Sequence, residues 1–72
     1  MTLPEKRYVP ETGGYRYYFT VQGERYYIED NGLMGSLAAW DVRHEDGYPV
    51  AGLPPYRTTL ERAIRAAKRD LR

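Results

Sequence analysis

His44 is the only histidine of the chain and Ser36 its only serine. A hydrolytic site built on a hydroxyl nucleophile and an imidazole base would have to use both. They lie near opposite ends of one extended segment, separated by more than about 20 Å at the rise of a strand, and cannot share a hydrogen bond. With no cysteine and a single histidine, ordinary zinc sites are excluded as well. Glu29, Asp30 and Asn31 group oxygen ligands of the kind a hard cation takes. Their spacing is not that of a calcium loop, and they read as a solvated turn. Glu45 and Asp46 are the nearest paired carboxylates, but an exposed turn offers nothing to separate their pKa values for acid–base work. Gly13-Gly14 and Gly32-x-x-Gly35 lack the lysine, the threonine and the following helix of a phosphate loop. The expectation is a non-catalytic protein without metal or cofactor.

What remains is binding chemistry, in three places. Five of the eight tyrosines fall between Tyr15 and Ile28. Tyr18 and Tyr27 of that stretch, with its Arg16 and Arg25 and with Arg43 from the next strand, gather on one sheet face. Aromatic rings with guanidinium groups form a stacking or base-edge platform. The plainer reading is that Tyr18–Tyr27 and Arg16–Glu29 satisfy each other across strands. The second place is the C-terminal segment, where Arg62, Arg65, Lys68, Arg69 and Arg72 are candidate phosphate contacts; as a solvated helix face they need no ligand. The third is Leu33-Met34 on a glycine-flanked turn, an apolar anchor for a protein partner if exposed and simple packing if tucked over the core.

The elements that must position these residues follow from local pattern. A two-residue turn at Gln22-Gly23, with glycine supplying positive φ, places Val21 opposite Glu24, Phe19 opposite Tyr26 and Tyr17 opposite Ile28. On the other face it places Thr20 opposite Arg25, Tyr18 opposite Tyr27 and Arg16 opposite Glu29. One turn thus sorts an apolar face from a polar-aromatic one and puts opposite charges in register. Glu29-Asp30-Asn31-Gly32 ends that hairpin. Leu33 to Ser36 admits a loop tip, a turn of helix or the lead-in to a strand. Leu37 to His44 alternates as a third strand. Glu45-Asp46-Gly47 reads as a three-residue loop that pairs His44 with Tyr48 and Val42 with Val50. Pro49 confines the segment after it to a short or irregular edge. Thr58-x-x-Glu61 is a capping box, and Leu60, Ala63, Ile64, Ala67 and Leu71 form one apolar helical stripe.

The expected fold is α+β: a three- to four-stranded antiparallel sheet of two hairpins, packed on one C-terminal helix. Its core holds Tyr17, Phe19, Val21, Tyr26, Ile28, Trp40, Val42, Val50, Leu60, Ile64, Ala67 and Leu71. The opposite face, with Arg16, Tyr18, Thr20, Arg25, Tyr27, Asp41 and Arg43, is expected to stay wet or lie under a partner. Residues 1–14 form an extended arm before a single domain of residues 15–72. Tyr8 and Val9 are the arm's anchors, and it is either disordered or laid along the sheet edge.

The 72 residues allow one domain with a small core. The absence of cysteine, of a signal-like leader and of a long apolar run points to a cytoplasmic protein with no membrane partner, as a monomer or small homo-oligomer. The formal net charge is +1, but it is unevenly placed. Residues 1–56 carry five basic and eight acidic side chains, and residues 57–72 carry six basic and two acidic. A basic tail on a mildly acidic body permits nucleic-acid contact without demanding it.

Trp40-Asp41-Val42, Glu45-Asp46-Gly47, Tyr48-Pro49-Val50 and Tyr56-Arg57-Thr58, followed by Ala63, Ala66 and Ala67, resemble a pattern of small accessory proteins from bacteriophages and actinobacteria. Some proteins of that kind inhibit host or defence proteins, so this resemblance implies a protein partner and an inhibitory or regulatory role. The same strands and helix are also similar to the arm-binding domain of tyrosine recombinases, which implies a sheet that reads DNA. The chain departs from that domain at Glu29 and Asp41, where cations are favoured, and at Pro49, which interrupts the last strand. The leading expectation is a protein-binding module; the alternative is a DNA-binding module that reads duplex with the outer sheet face, supported by the basic C-terminal helix.

Overall fold

A computed structural model describes residues 4–11, 13–30, 39–53 and 55–72. The strands are β1 (Glu5–Val9), β2 (Gly14–Val21), β3 (Glu24–Asp30) and β4 (Trp40–His44), followed by helix α1 (Leu60–Asp70). They form an antiparallel meander in the order β1-β2-β3-β4, with α1 as the second layer, an α+β fold.

The β2–β3 hairpin has the register that its turn dictates. Val21 pairs with Glu24, Phe19 with Tyr26, Tyr18 with Tyr27 and Arg16 with Glu29. Gln22 and Gly23 both take positive φ, at 51° and 82°. Two left-handed residues in a row twist the turn to match the right-handed twist of its strands. Beyond the hairpin, β4 continues the rows: Val42 pairs with Ile28, Arg43 with Tyr27 and Asp41 with Glu29.

The fourth strand comes from the arm. Glu5–Val9 lies along the free edge of β2, pairing Glu5 with Tyr18, Lys6 with Tyr17 and Tyr8 with Tyr15. Of the arm's two expected anchors, Val9 is buried and Tyr8 is exposed. The segment after the Glu45-Asp46-Gly47 loop makes only an isolated bridge, Arg43 to Pro49, as a residue without an N–H requires. The loop itself closes as expected, with Gly47 at φ 99° and the His44 amide donating to the Tyr48 carbonyl at 2.9 Å.

The core lies between the sheet and α1. Phe19, Val21, Tyr26, Ile28, Val42, Ala63 and Ala67 are buried in it, with Tyr17, Trp40, Val50, Leu53, Tyr56, Leu60, Ile64 and Leu71 packed around them. Leu53 and Tyr56 join this set although no periodic pattern marks them. Two hydrogen bonds of 2.9 Å between the backbones of Trp40 and Tyr56 bring the chain back along β4. The Trp40 indole N–H then donates to the Thr58 carbonyl at 2.9 Å.

The helix starts one residue later than the Thr58-x-x-Glu61 capping box places it. Thr59 is the N-cap, and its hydroxyl accepts from the Arg62 amide at 3.4 Å. Thr58 is held by Trp40 instead, and Glu61 falls in the first turn, where a carboxylate suits the positive end of the helix dipole.

Candidate binding surfaces

The outer sheet face, away from α1, carries the rows Glu5–Tyr18–Tyr27–Arg43 and Arg7–Arg16–Glu29–Asp41. Tyr18 and Tyr27 are brought together as expected, their ring centroids 5.4 Å apart. The expectation that this pair stands open is corrected: Tyr18 is 5% exposed and Tyr27 is 2% exposed. The cause is a cover of charged side chains. The Arg7 and Arg25 guanidinium groups each lie 4.9 Å from the Tyr18 ring centroid, and that of Arg16 lies 4.5 Å from Tyr27's. Guanidinium groups over the rings keep their charge at the water while their bodies dry the rings beneath. Burial accordingly raises the Tyr27 phenol pKa.

The arginines of this cover are matched by carboxylates. Arg25 reaches Glu5 at 3.0 Å and Glu45 at 2.8 Å, and Arg7 reaches Glu5 at 2.7 Å. Arg16 sits 3.3 Å from one Glu29 oxygen, and Arg43 lies 3.9 Å from the other. Arg43 also donates to the Gly47 carbonyl at 3.0 Å. The hydrogen bond from Arg25 holds the Glu5 carboxyl below its ordinary range. Burial opposes the charge of Arg16, but its bonds to Tyr18 and Glu29 outweigh that and raise its pKa. Arg16, Arg25 and Arg43 are therefore engaged within the protein. Glu29, a candidate cation ligand by sequence, spends its oxygens on arginine.

Exposed aromatic surface lies instead on the face that α1 shares. A helix is about 10–12 Å across, and four strands about 4.8 Å apart make a wider sheet. Among the described residues, α1 packs nearest β4 and helps bury Phe19 and Val21 of β2, but leaves the Tyr8–Tyr15 corner of that face open. Tyr8 is 54% exposed there and Tyr15 is 44% exposed. Their rings meet edge-on at 5.4 Å, and the Lys6 ammonium sits 4.3 Å from the Tyr15 centroid. Lys6 also lies 6.0 Å from Tyr17, which meets Trp40 edge-on at 6.1 Å. An aromatic path thus runs from the open edge of β1 to the tryptophan at the helix dock. Sequence reasoning assigned none of Lys6, Tyr8 or Tyr15 to a site. The signal was there in the alternation of Lys6 and Tyr8 with Arg7, but it needs the arm to be a strand. Tyr48, 70% exposed, is a further isolated aromatic beside β4.

The helix brings its cations together on its outer side. Arg62, Arg65, Arg69 and Arg72 are exposed and Lys68 is half-buried. Arg69 is drawn to Asp70 at 2.9 Å. Among the described residues, Arg62, Arg65, Lys68 and Arg72 have no carboxylate within ion-pair distance. Leu33 and Met34, the third candidate surface, lie outside the described residues, as does Ser36. No helix among the described residues is long and apolar enough to cross a membrane. Compared with known proteins, the chain matches no family model, no curated protein and no solved structure.

Proposed function

We propose that this chain is a small non-catalytic binding module whose partner is a protein, acting as an inhibitor or regulator in the manner of small phage-type accessory proteins. The observation that carries this reading is the exposed Tyr8–Tyr15 pair with Lys6 against it, on the part of the helix-side sheet face that α1 leaves uncovered. Tyrosine presents a large, rigid contact area at small entropic cost, and aromatic anchors with a cation at hand are what protein interfaces concentrate their energy in. Among the described residues no strand pairs with the outer edge of β1, and Glu5, Lys6 and Arg7 along it discourage indiscriminate strand pairing. A partner that fits would lay apolar groups over the two rings and a carboxylate against Lys6.

The alternative, a duplex read by the outer sheet face with the basic C-terminal helix in support, finds less support at the sheet. It needs arginines at liberty to meet phosphates or base edges, and Arg16, Arg25 and Arg43 already face Glu29, Glu5 and Glu45.

The test is affinity capture from the native host after nuclease treatment, with the bound protein identified by mass spectrometry. A stoichiometric partner is expected that survives moderate salt, and Tyr8→Ala with Tyr15→Ala should weaken it at least about tenfold, since central aromatic anchors are worth about 2 kcal/mol or more. A complex indifferent to both substitutions, or no stoichiometric partner at all, would sink the reading.

A further inference from the structure

The two basic surfaces of this protein are built on opposite plans. On the outer sheet face each of Arg7, Arg16, Arg25 and Arg43 has a carboxylate within 4 Å. On α1 the acids are withdrawn: Asp70 accepts from the Tyr56 hydroxyl and from Arg69, and Glu61 is the sole other carboxylate of the helix. Among the described residues, Arg62, Arg65 and Lys68 on α1 and Arg72 just past its end have no carboxylate within ion-pair distance, and the helix from Arg62 to Asp70 runs about 12 Å at about 1.5 Å of rise per residue. Two shallow depressions lie between them, one bounded by Arg62, Arg65, Ala66 and Arg69, the other by Arg65, Lys68, Arg69 and Arg72.

We infer that the outer face of α1 is a docking surface for the phosphate backbone of duplex nucleic acid, separate from the tyrosine surface and independent of base sequence. Charge complementarity selects a polyanion, and three features of the face select which one. A protein interface needs an aromatic or aliphatic anchor at its centre, and the side chain between these cations is Ala66. A membrane-surface helix inserts its apolar face into lipid, whereas that of α1 is used up in the core at Ala63 and Ala67. A single strand is held by bases stacked on aromatic rings, and α1 carries none. Guanidinium forks meeting phosphate oxygens need only what is present.

The experiment is fluorescence anisotropy of the intact chain with a labelled duplex of random sequence, repeated with a polyglutamate chain of equal length. With about four phosphates neutralised, affinity for duplex should fall on the order of 100-fold between about 50 mM and about 200 mM salt. The quadruple variant Arg62→Gln/Arg65→Gln/Lys68→Gln/Arg72→Gln places a good helix former at three exposed positions and at the half-buried Lys68. It should melt with the parent, bind at least about tenfold more weakly at low salt and lose most of the salt slope. Arg16→Gln should bind duplex as the parent does. The inference is overturned if duplex is not retained at low salt, if the quadruple variant binds unchanged, if Arg16→Gln weakens binding as much as the quadruple change, or if polyglutamate binds as tightly as duplex. The capture experiment on Tyr8 and Tyr15 is read after nuclease treatment, so either surface can fail without the other.

Discussion

The Tyr56 hydroxyl donates to Asp70 Oδ2 at 2.7 Å, tying the segment that enters α1 to the last residue of the helix. Together with the paired backbone bonds between Tyr56 and Trp40, this fastens both ends of the helix to β4. Burial, reinforced by the bond to Asp70, pushes the Tyr56 phenol up to about 12 from its ordinary 10.0. From neutral pH up to pH 10 the phenol is neutral folded and unfolded, the Asp70 carboxylate is ionised, and the bond contributes in full. As pH rises further the unfolded chain ionises first, so stability falls until the folded pKa is passed. Urea midpoints measured across the alkaline range should therefore decline more steeply for the parent than for Tyr56→Phe. At neutral pH that variant should cost roughly 1 kcal/mol. Equal alkaline slopes for the two proteins would refute the assignment.

Tyr27 and Tyr8 should respond oppositely to truncation. Tyr27 is 2% exposed under the Arg16 guanidinium, and Tyr27→Ala removes a buried ring at a cost of about 3–5 kcal/mol. For a domain of this size that is most of the stability available. Tyr8→Ala on the open face should cost under about 1 kcal/mol. Chemical denaturation of both variants checks the division between tyrosines that fold the chain and tyrosines left for a partner. Similar losses at the two positions would contradict it.

Thr59, and not Thr58, should carry the helix cap. Its hydroxyl accepts from the Arg62 amide at a long 3.4 Å, so Thr59→Ala should cost about 0.5–1 kcal/mol, the lower part of the range for N-caps. Thr58→Val should cost less, since Trp40 uses the Thr58 carbonyl, which the substitution keeps. Thermal melts of the pair decide the order, and a larger loss at Thr58 would return the cap to the capping box.

Gln22 holds a left-handed backbone, φ 51°, beside Gly23. Asparagine tolerates that region better than glutamine, and Asn-Gly is the favoured pair in such two-residue turns. Gln22→Asn should raise stability by about 0.5 kcal/mol or more, read as a higher urea midpoint at unchanged slope. No gain would mean that the turn is not set by these two residues.

Local chemistry alone determined the β2–β3 hairpin and the helix. A tight turn with glycine leaves one register that separates Phe19, Tyr26 and Ile28 from Arg16, Thr20 and Arg25, because a one-residue slip would exchange the faces. Period and composition likewise sufficed for α1, although the cap moved by one residue once Trp40 claimed Thr58. The exposure of each surface was decided only in three dimensions. Whether Tyr18 stays wet depends in part on Arg7 and Glu5, which lie beside it because the arm becomes a strand. Whether Tyr8 and Tyr15 stay bare depends on how far α1 reaches across that face. Neither relation is local in sequence. Pairing rules assign a side chain to a face, but burial depends on what else reaches that face, and here the long guanidinium side chains covered one aromatic pair while the helix fell short of the other.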